Sequence, residues 1–156
     1  MTPMMAVHLA KEDEAGFIAR GQQIAREEGI YLAMAYAVEY QDGSPFEQKL
    51  LILDPAGQVA LEHYKYGGQA LEGFKPGDGV LRTVQTPFGT LSGIICNDTN
   101  HEEIVTQAGR NSTDIILSPS LEFREMAIPS RFDKEAELAV YCRCRRKLTM
   151  PNILVW

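Results

Sequence analysis

A nearly continuous apolar run, Ile30–Val38, constrains the fold of this chain more than any other feature. A strand with one wet face alternates apolar and polar residues, whereas an uninterrupted apolar strand is typical of a sheet covered on both faces. The preceding segment, Asp13–Glu28, predicts a helix, because its apolar residues recur at helical spacing and Gly29 can end it. The chain is therefore expected to pack at least one helix onto a buried sheet.

The next segments predict two β-hairpins. Each has two apolar strands around a tight turn that carries proline and glycine. The strands are Lys49–Leu53 and Val59–Tyr64 in the first hairpin, and Val80–Thr86 and Leu91–Cys96 in the second. The glycine-rich segment Gly67–Gly79, which lies between them, is expected to be a loop.

The remainder of the chain alternates helices with strands. A helix is expected to begin near Thr99, which stands at capping-box spacing from Glu102, and to end at Gly109. A strand, a helix and a final strand are then predicted at Asp114–Ser118, Lys134–Lys147 and Asn152–Trp156. The pattern has no internal repeat or linker, and it predicts one α/β domain over residues 1–156 with a mixed sheet.

The composition narrows the class of protein. With 156 residues, 45% apolar and 23% charged, the chain fits one globular domain. A net charge of −6 argues against a nucleic-acid partner, and only three cysteines argue for a reducing compartment. Met1–Ala10 lacks the basic start of a secretory signal, and no apolar run approaches the roughly 18 residues that a membrane span needs. A cytoplasmic protein without a membrane partner is expected.

Cys96 is the residue with the clearest chemical potential. It ends a predicted strand, and a helix is predicted to begin a few residues later. Such a passage puts a thiol near free backbone N–H groups, for example that of Asn97, and near the positive end of a helix dipole, which favours the thiolate. The position suits a buried structural cysteine equally well, so position alone leaves both interpretations open.

Several segments carry a specific combination of motifs. The first three in chain order are a helix-to-strand passage at Ala25–Tyr36, a strand that ends on a lysine at His63–Lys65, and a glutamate-bearing loop at Ala70–Gly73. They are followed by a P-G-D-G turn at Pro76–Gly79, a cysteine turn at Gly93–Asp98, and a strand that ends in a P-S pair at Ser112–Ser120. Together they resemble the carbon–nitrogen hydrolase (nitrilase) superfamily, in particular its amidases and apolipoprotein N-acyltransferases. The resemblance covers about residues 12–120.

The resemblance implies an α-β-β-α sandwich, of which this chain would form a part, and a covalent mechanism. Cys96 would attack an amide, nitrile or acyl carbon and form a thioester. Lys65 and the backbone N–H of Asn97 would stabilise the oxyanion, and Glu72 would orient the lysine and the substrate. Asp98 would support the site, although it suits a helix cap equally well. The partner would be a small-molecule amide, nitrile or acyl substrate, with no cofactor and no metal.

One member of the family's catalytic set has no clear counterpart. The family's general base is a glutamate in an upstream P-E motif, and Met1–Lys11 holds no such motif. Glu12 and Glu14 lie at the start of the first helix, where the helix dipole favours acidic residues. Asn97 also replaces the usual aromatic residue. The chain is therefore expected to be the middle of a nitrilase domain with low or absent turnover.

Other functions have less support. His101 lies five residues after Cys96 and leaves a Cys/His hydrolase as an alternative. Cys142 and Cys144 point to different sides of a predicted helix and do not predict a metal site, and the basic residues of 143–147 suit the end of that helix. Two classes stay open: a carbon–nitrogen hydrolase or acyltransferase, and a non-catalytic remnant that binds a partner. Uncovered sheet edges predict a homo-oligomer.

Overall fold

Two β-sheets pack face to face, and one helix covers the outer side of each. The computed structural model describes residues 7–68, 73–119 and 153–155. In chain order, the elements are β1 His8–Ala10, α1 Glu14–Glu28, β2 Tyr31–Glu39, β3 Glu47–Leu53, β4 Val59–Tyr64, β5 Thr83–Thr86, β6 Gly89–Gly93, α2 Glu102–Arg110, β7 Ile115–Leu117 and β8 Ile153–Val155, with 3-10 helices at Lys11–Asp13 and Cys96–Asn100.

The first sheet has the order β1-β2-β3-β4, and β8 also pairs with β2. The β2–β3 and β3–β4 pairs are antiparallel, whereas β1 and β8 run parallel to β2. Alternate residues of β2 serve opposite faces, because side chains alternate along a strand. Leu32 and Tyr36 pack on the outer face with Ala25 of α1, whereas Ala33 and Ala37 lie on the inner face. The prediction that this strand is buried on both faces is confirmed.

The second sheet has the order β5-β6-β7, with β6 and β7 parallel. Leu91 packs against the inner face of the first sheet, whereas Ile94 packs against Ile104 of α2 on the opposite side. The two sheets approach closely at Gly93, where an added Cβ would lie 2.2 Å from Cδ2 of Leu50. The layers therefore run α1, first sheet, second sheet, α2, which confirms the α/β class and the α-β-β-α sandwich.

The boundaries of four predicted elements are wrong. Strand β3 begins at Glu47, two residues before the predicted Lys49. Strand β5 begins at Thr83, not Val80, because the Gln107 side chain of α2 binds the backbone of Leu81: its Oε1 accepts the Leu81 N–H at 2.9 Å. Helix α2 begins at Glu102, not Thr99. Thr99 is not its cap, because the Thr99 hydroxyl donates to the Cys96 carbonyl at 3.1 Å within the preceding 3-10 helix.

Strand β6 ends at Gly93, three residues before the predicted end at Cys96. Strand β1 was not predicted, because it has only three residues and becomes a strand by pairing with β2. Strand β8 lies within the predicted Asn152–Trp156. The predicted helix Lys134–Lys147 lies outside the described residues.

Candidate active site

Cys96 lies on a sharp turn at the carboxyl end of the parallel pair β6–β7. Beyond the strand, the chain stays extended, since the N–H groups of Ile94 and Cys96 donate to the carbonyls of Leu117 and Pro119 at 2.9 and 3.0 Å. The backbone of Cys96 itself has φ = 48°, a left-handed conformation that is costly for a residue with a Cβ. Residues 95–98, called the Cys96 turn below, present a half-buried thiol. Cys96 is the first residue of the 3-10 helix, which ends at Asn100, and the predicted α-helix begins only at Glu102.

Asp98 ties the Cys96 turn to the end of β4. Its carboxylate is completely buried and accepts hydrogen bonds at both oxygens. Oδ1 accepts the backbone N–H groups of Tyr66 and Gly67 at 2.9 and 2.7 Å. Oδ2 accepts the backbone N–H of Ile95 at 2.8 Å and lies 2.8 Å from Nε2 of His63. Since a carboxylate can only accept, the proton of this last bond belongs to His63 Nε2.

Lys65 is completely buried just beyond the end of β4. Its backbone continues the sheet: its N–H donates to the carbonyl of Gln48 at 2.9 Å, and its carbonyl accepts from Gly77 at 2.8 Å. Its ammonium lies 5.0 Å from the centre of the Phe74 ring, in the range of a cation–π interaction. Phe74 in turn contacts Phe46 edge-on, with ring centres 6.2 Å apart. Two apolar rings, one packed against the other, therefore lie on one side of this buried lysine.

The segment after Lys65 is in direct contact with the chain after Cys96. At Gly67, an added Cβ would lie 2.2 Å from Cδ2 of His101 and 2.9 Å from the carbonyl oxygen of Asn97. The His101 ring packs edge-on against Tyr66 at 5.6 Å, and its Nδ1 lies 3.3 Å from Glu103. These contacts give His101 a packing role between the two segments and do not favour a Cys/His hydrolase.

Glu14 belongs to a charge network on the outer face of the first sheet. Its carboxylate accepts hydrogen bonds from Lys49 at 2.8 Å, from the Tyr36 hydroxyl at 3.2 Å, and from Lys11. Burial alone would raise the pKa of Glu14, but the hydrogen bonds from the two lysines outweigh burial and hold the pKa below its usual value. Leu50, the neighbour of Lys49 in β3, points to the inner face. Glu14 is therefore committed to the face opposite the one on which His63 meets Asp98.

The network continues from Lys49 to Glu47 at 3.1 Å and from Glu47 to Lys75 at 2.9 Å. Burial alone would raise the pKa of Glu47, but hydrogen bonds from Lys75, Tyr40 and Lys49 lower it to about 2. Burial alone would lower the pKa of Lys49, but its bonds to two carboxylates raise it instead. These residues brace α1 and the 73–77 loop against the sheet.

The structure thus describes four of the five predicted site residues, and Glu72 lies outside the described residues, as do Cys142 and Cys144. Glu12, the other candidate base, is exposed and bonds to Gln41. The sequence analysis included His63 only as the first residue of the motif His63–Lys65, and it gave neither His63 nor Phe74 a role in the site. Alternation along β4 could have identified His63, because Leu61 and His63 share the buried face of an otherwise half-exposed strand.

Residues 7–68 and 73–119 hold neither a metal-binding cluster nor a membrane-spanning helix. Within these ranges, no three histidine, cysteine, aspartate or glutamate side chains are grouped so that they could hold a metal ion. No helix in the same part of the chain has the length and apolar character needed to cross a membrane.

The chain matches the carbon–nitrogen hydrolase family over residues 6–137, and it belongs to this family. The match extends beyond the region in which the motifs were found. A comparison with curated protein sequences finds no significant match.

Solved structures of the nitrilase superfamily share the fold. Nit3 from Saccharomyces cerevisiae has a TM-score of 0.67 at 20% identity, covering 86% of this chain and 49% of Nit3. A carbon–nitrogen hydrolase from Helicobacter pylori has a TM-score of 0.62 at 18% identity, over 85% of this chain and 47% of its own. An amidase from Nesterenkonia has a TM-score of 0.58 at 26% identity, over 76% and 46%. This chain spans about half the length of these relatives.

Proposed function

We propose that this chain cleaves the C–N bond of a small amide through a thioester on Cys96. The observation that carries the proposal is the Asp98 carboxylate, which bonds at once to the Cys96 turn and to the two residues after Lys65. A buried lysine and a cysteine in a left-handed turn are thereby held at one end of the sandwich. Family membership supports a hydrolase that acts on C–N bonds. A structure of the Nesterenkonia amidase, with the acetamide moiety of fluoroacetamide on its active-site cysteine, supports a cysteine nucleophile.

In the proposed reaction, Cys96 Sγ attacks the amide carbon and the carbonyl oxygen becomes negative. The Lys65 ammonium and the backbone N–H of Asn97 stabilise this oxyanion. The C–N bond then breaks, and the leaving amine takes the proton that the thiol has lost. Water attacks the thioester, releases the carboxylic acid and restores the thiol. Throughout, Glu72 would orient the lysine and the substrate. An amine or alcohol in place of water would make the same site an acyltransferase.

A second candidate, a non-catalytic binding module, is favoured by the contacts of Glu12 and Glu14, the two candidate general bases, which both bind other residues. Both proton transfers need a general base, whose contribution is typically about 10²–10⁴-fold. Glu14 is bonded to Lys49 on the outer face, and Glu12 is exposed beside Gln41. We therefore propose that this chain alone forms the thioester slowly and hydrolyses it more slowly still.

The test exposes the protein to fluoroacetamide and locates the adduct by peptide mass spectrometry. We expect the adduct on Cys96, with Cys142 and Cys144 as internal controls and Cys96→Ala as the blank. Butyramide, the ligand in another structure of the Nesterenkonia amidase, then serves as a substrate probe, with released ammonia as the measure of turnover. An adduct spread equally over the three cysteines would refute the proposal. An adduct on Cys96 without ammonia release would favour the binding module.

A further inference from the structure

We infer that His63 is a positioning residue of the proposed site: its Nε2–H orients the Asp98 carboxylate, which holds the Lys65 segment against the Cys96 turn. The inference rests on the proposed function and adds a residue to it. The motif His63–Lys65 points to its lysine, and the proposed mechanism gives the histidine no role. The ring is buried on the inner face of the first sheet at 2% exposure.

Asp98 has four described hydrogen-bond donors. Three of its four described partners are backbone N–H groups, of Tyr66, Gly67 and Ile95, whose positions follow the path of the chain. His63 supplies the fourth bond and is the one side-chain donor among them. His63 also connects β4 to Oδ2 of Asp98, the oxygen that accepts the Ile95 N–H in the Cys96 turn. Without it, Oδ2 keeps a single described bond and the carboxylate is held less firmly.

His63 lies among apolar side chains. In the β3–β4 ladder it stands opposite Leu50, and its neighbours on the inner face include Ile52 and Leu61. A polar ring costs free energy in such a place unless it is hydrogen-bonded, and an apolar side chain would often stabilise the sheet equally well. Packing therefore does not require histidine here, whereas holding Asp98 in one orientation does.

The test measures how fast iodoacetamide alkylates Cys96 at one neutral pH, with the modified peptide identified by mass spectrometry. His63→Met and His63→Gln have similar size, but only glutamine keeps a donor that reaches Asp98. Because His63→Met loses one hydrogen bond that positions Asp98, we expect it to slow alkylation by roughly two- to tenfold. His63→Gln should recover the rate to within about twofold.

Two further variants separate the inference from the proposed function. Lys65→Met removes the buried charge that the proposed function assigns to the reacting site, and it should slow alkylation at least as much as His63→Met. The matched control is His8→Met, the same change at a histidine of the same sheet whose carboxylate partner is Glu39, at 3.1 Å; it should leave the rate unchanged.

The outcomes are distinct. If Lys65→Met slows alkylation but His63→Met does not, the inference is wrong and the proposed function stands. If Lys65→Met has no effect, the role of the lysine in the proposed function is wrong. Equal slowing in His63→Met and His63→Gln would also overturn the inference, since packing would then explain the effect. If circular dichroism shows that His63→Met is unfolded, His63→Asn replaces it, because its amide is too short to reach Asp98.

Discussion

Replacing Asp98 by asparagine should be among the most destabilising single changes in this part of the chain. The carboxylate accepts two hydrogen bonds at each oxygen, all between 2.7 and 2.9 Å, and it is completely buried. An asparagine keeps one acceptor oxygen and turns the other into an NH₂ donor. With the NH₂ group in the Oδ2 position, the Ile95 N–H faces another donor, whereas the His63 ring can change tautomer and accept.

The expected size follows from these bonds. A hydrogen bond contributes about 1.5–3 kcal/mol when one partner is charged and about 0.5–1.5 kcal/mol when both are neutral. Losing one bond and weakening the other three therefore predicts a decrease of roughly 3–6 kcal/mol in the free energy of unfolding. This is a large part of the 5–15 kcal/mol that stabilises a typical domain. The assay is urea unfolding followed by far-ultraviolet circular dichroism, with linear extrapolation to water.

Asp114→Asn is the matched control for this experiment. Asp114 is exposed, and its Oδ2 accepts the Thr90 N–H at 2.8 Å, so the loss there should be about 1 kcal/mol or less. Equal, small losses in Asp98→Asn and Asp114→Asn would show that the buried carboxylate does not hold the two segments together.

Three other perturbations test neighbouring parts of the structure. The pKa of Glu47 is lowered from 4.5 to about 2, so its charge stabilises the fold fully above about pH 4.5 and progressively less as the pH falls toward 2. The difference in unfolding free energy between wild type and Glu47→Gln, measured by urea titration, should therefore close over that range. A constant difference would contradict this prediction. A double-mutant cycle of Phe74→Leu and Lys65→Met should give a coupling free energy of about 0.5–2 kcal/mol, and additive effects would argue against the cation–π contact. Gly67→Ala should cost about 1–3 kcal/mol in urea unfolding because its Cβ meets the His101 ring, and His101→Ala should restore part of the loss; an unchanged stability would refute the close approach.

The sequence predicted the elements whose signals are local. Val59–Tyr64 is a strand with the predicted bounds, and the apolar run Ile30–Val38 agrees with β2 to within one residue at each end. Helix α1 likewise begins one residue after its predicted start. These elements follow from hydrophobic periodicity and from turn residues a few positions away, which is information that a short window of sequence contains.

The motifs also identified Cys96 and Lys65 as candidates from the sequence. Local patterns say which residue types occur at which spacing, and here they were enough to indicate the family. They did not say which groups meet in space, because that depends on how two sheets pack.

Only the tertiary structure decided what binds these residues. His63 and Asp98 are 35 positions apart, and so are Glu14 and Lys49. Each pair forms because elements from distant parts of the chain pack together: β4 meets the 3-10 helix that holds Asp98, and β3 meets α1. The same packing placed Glu14 on the outer face and turned Leu81 from an expected strand residue into a partner of Gln107. A buried polar group takes whichever partner the packed layers bring within hydrogen-bond distance, and a sequence window of ten residues does not contain that partner.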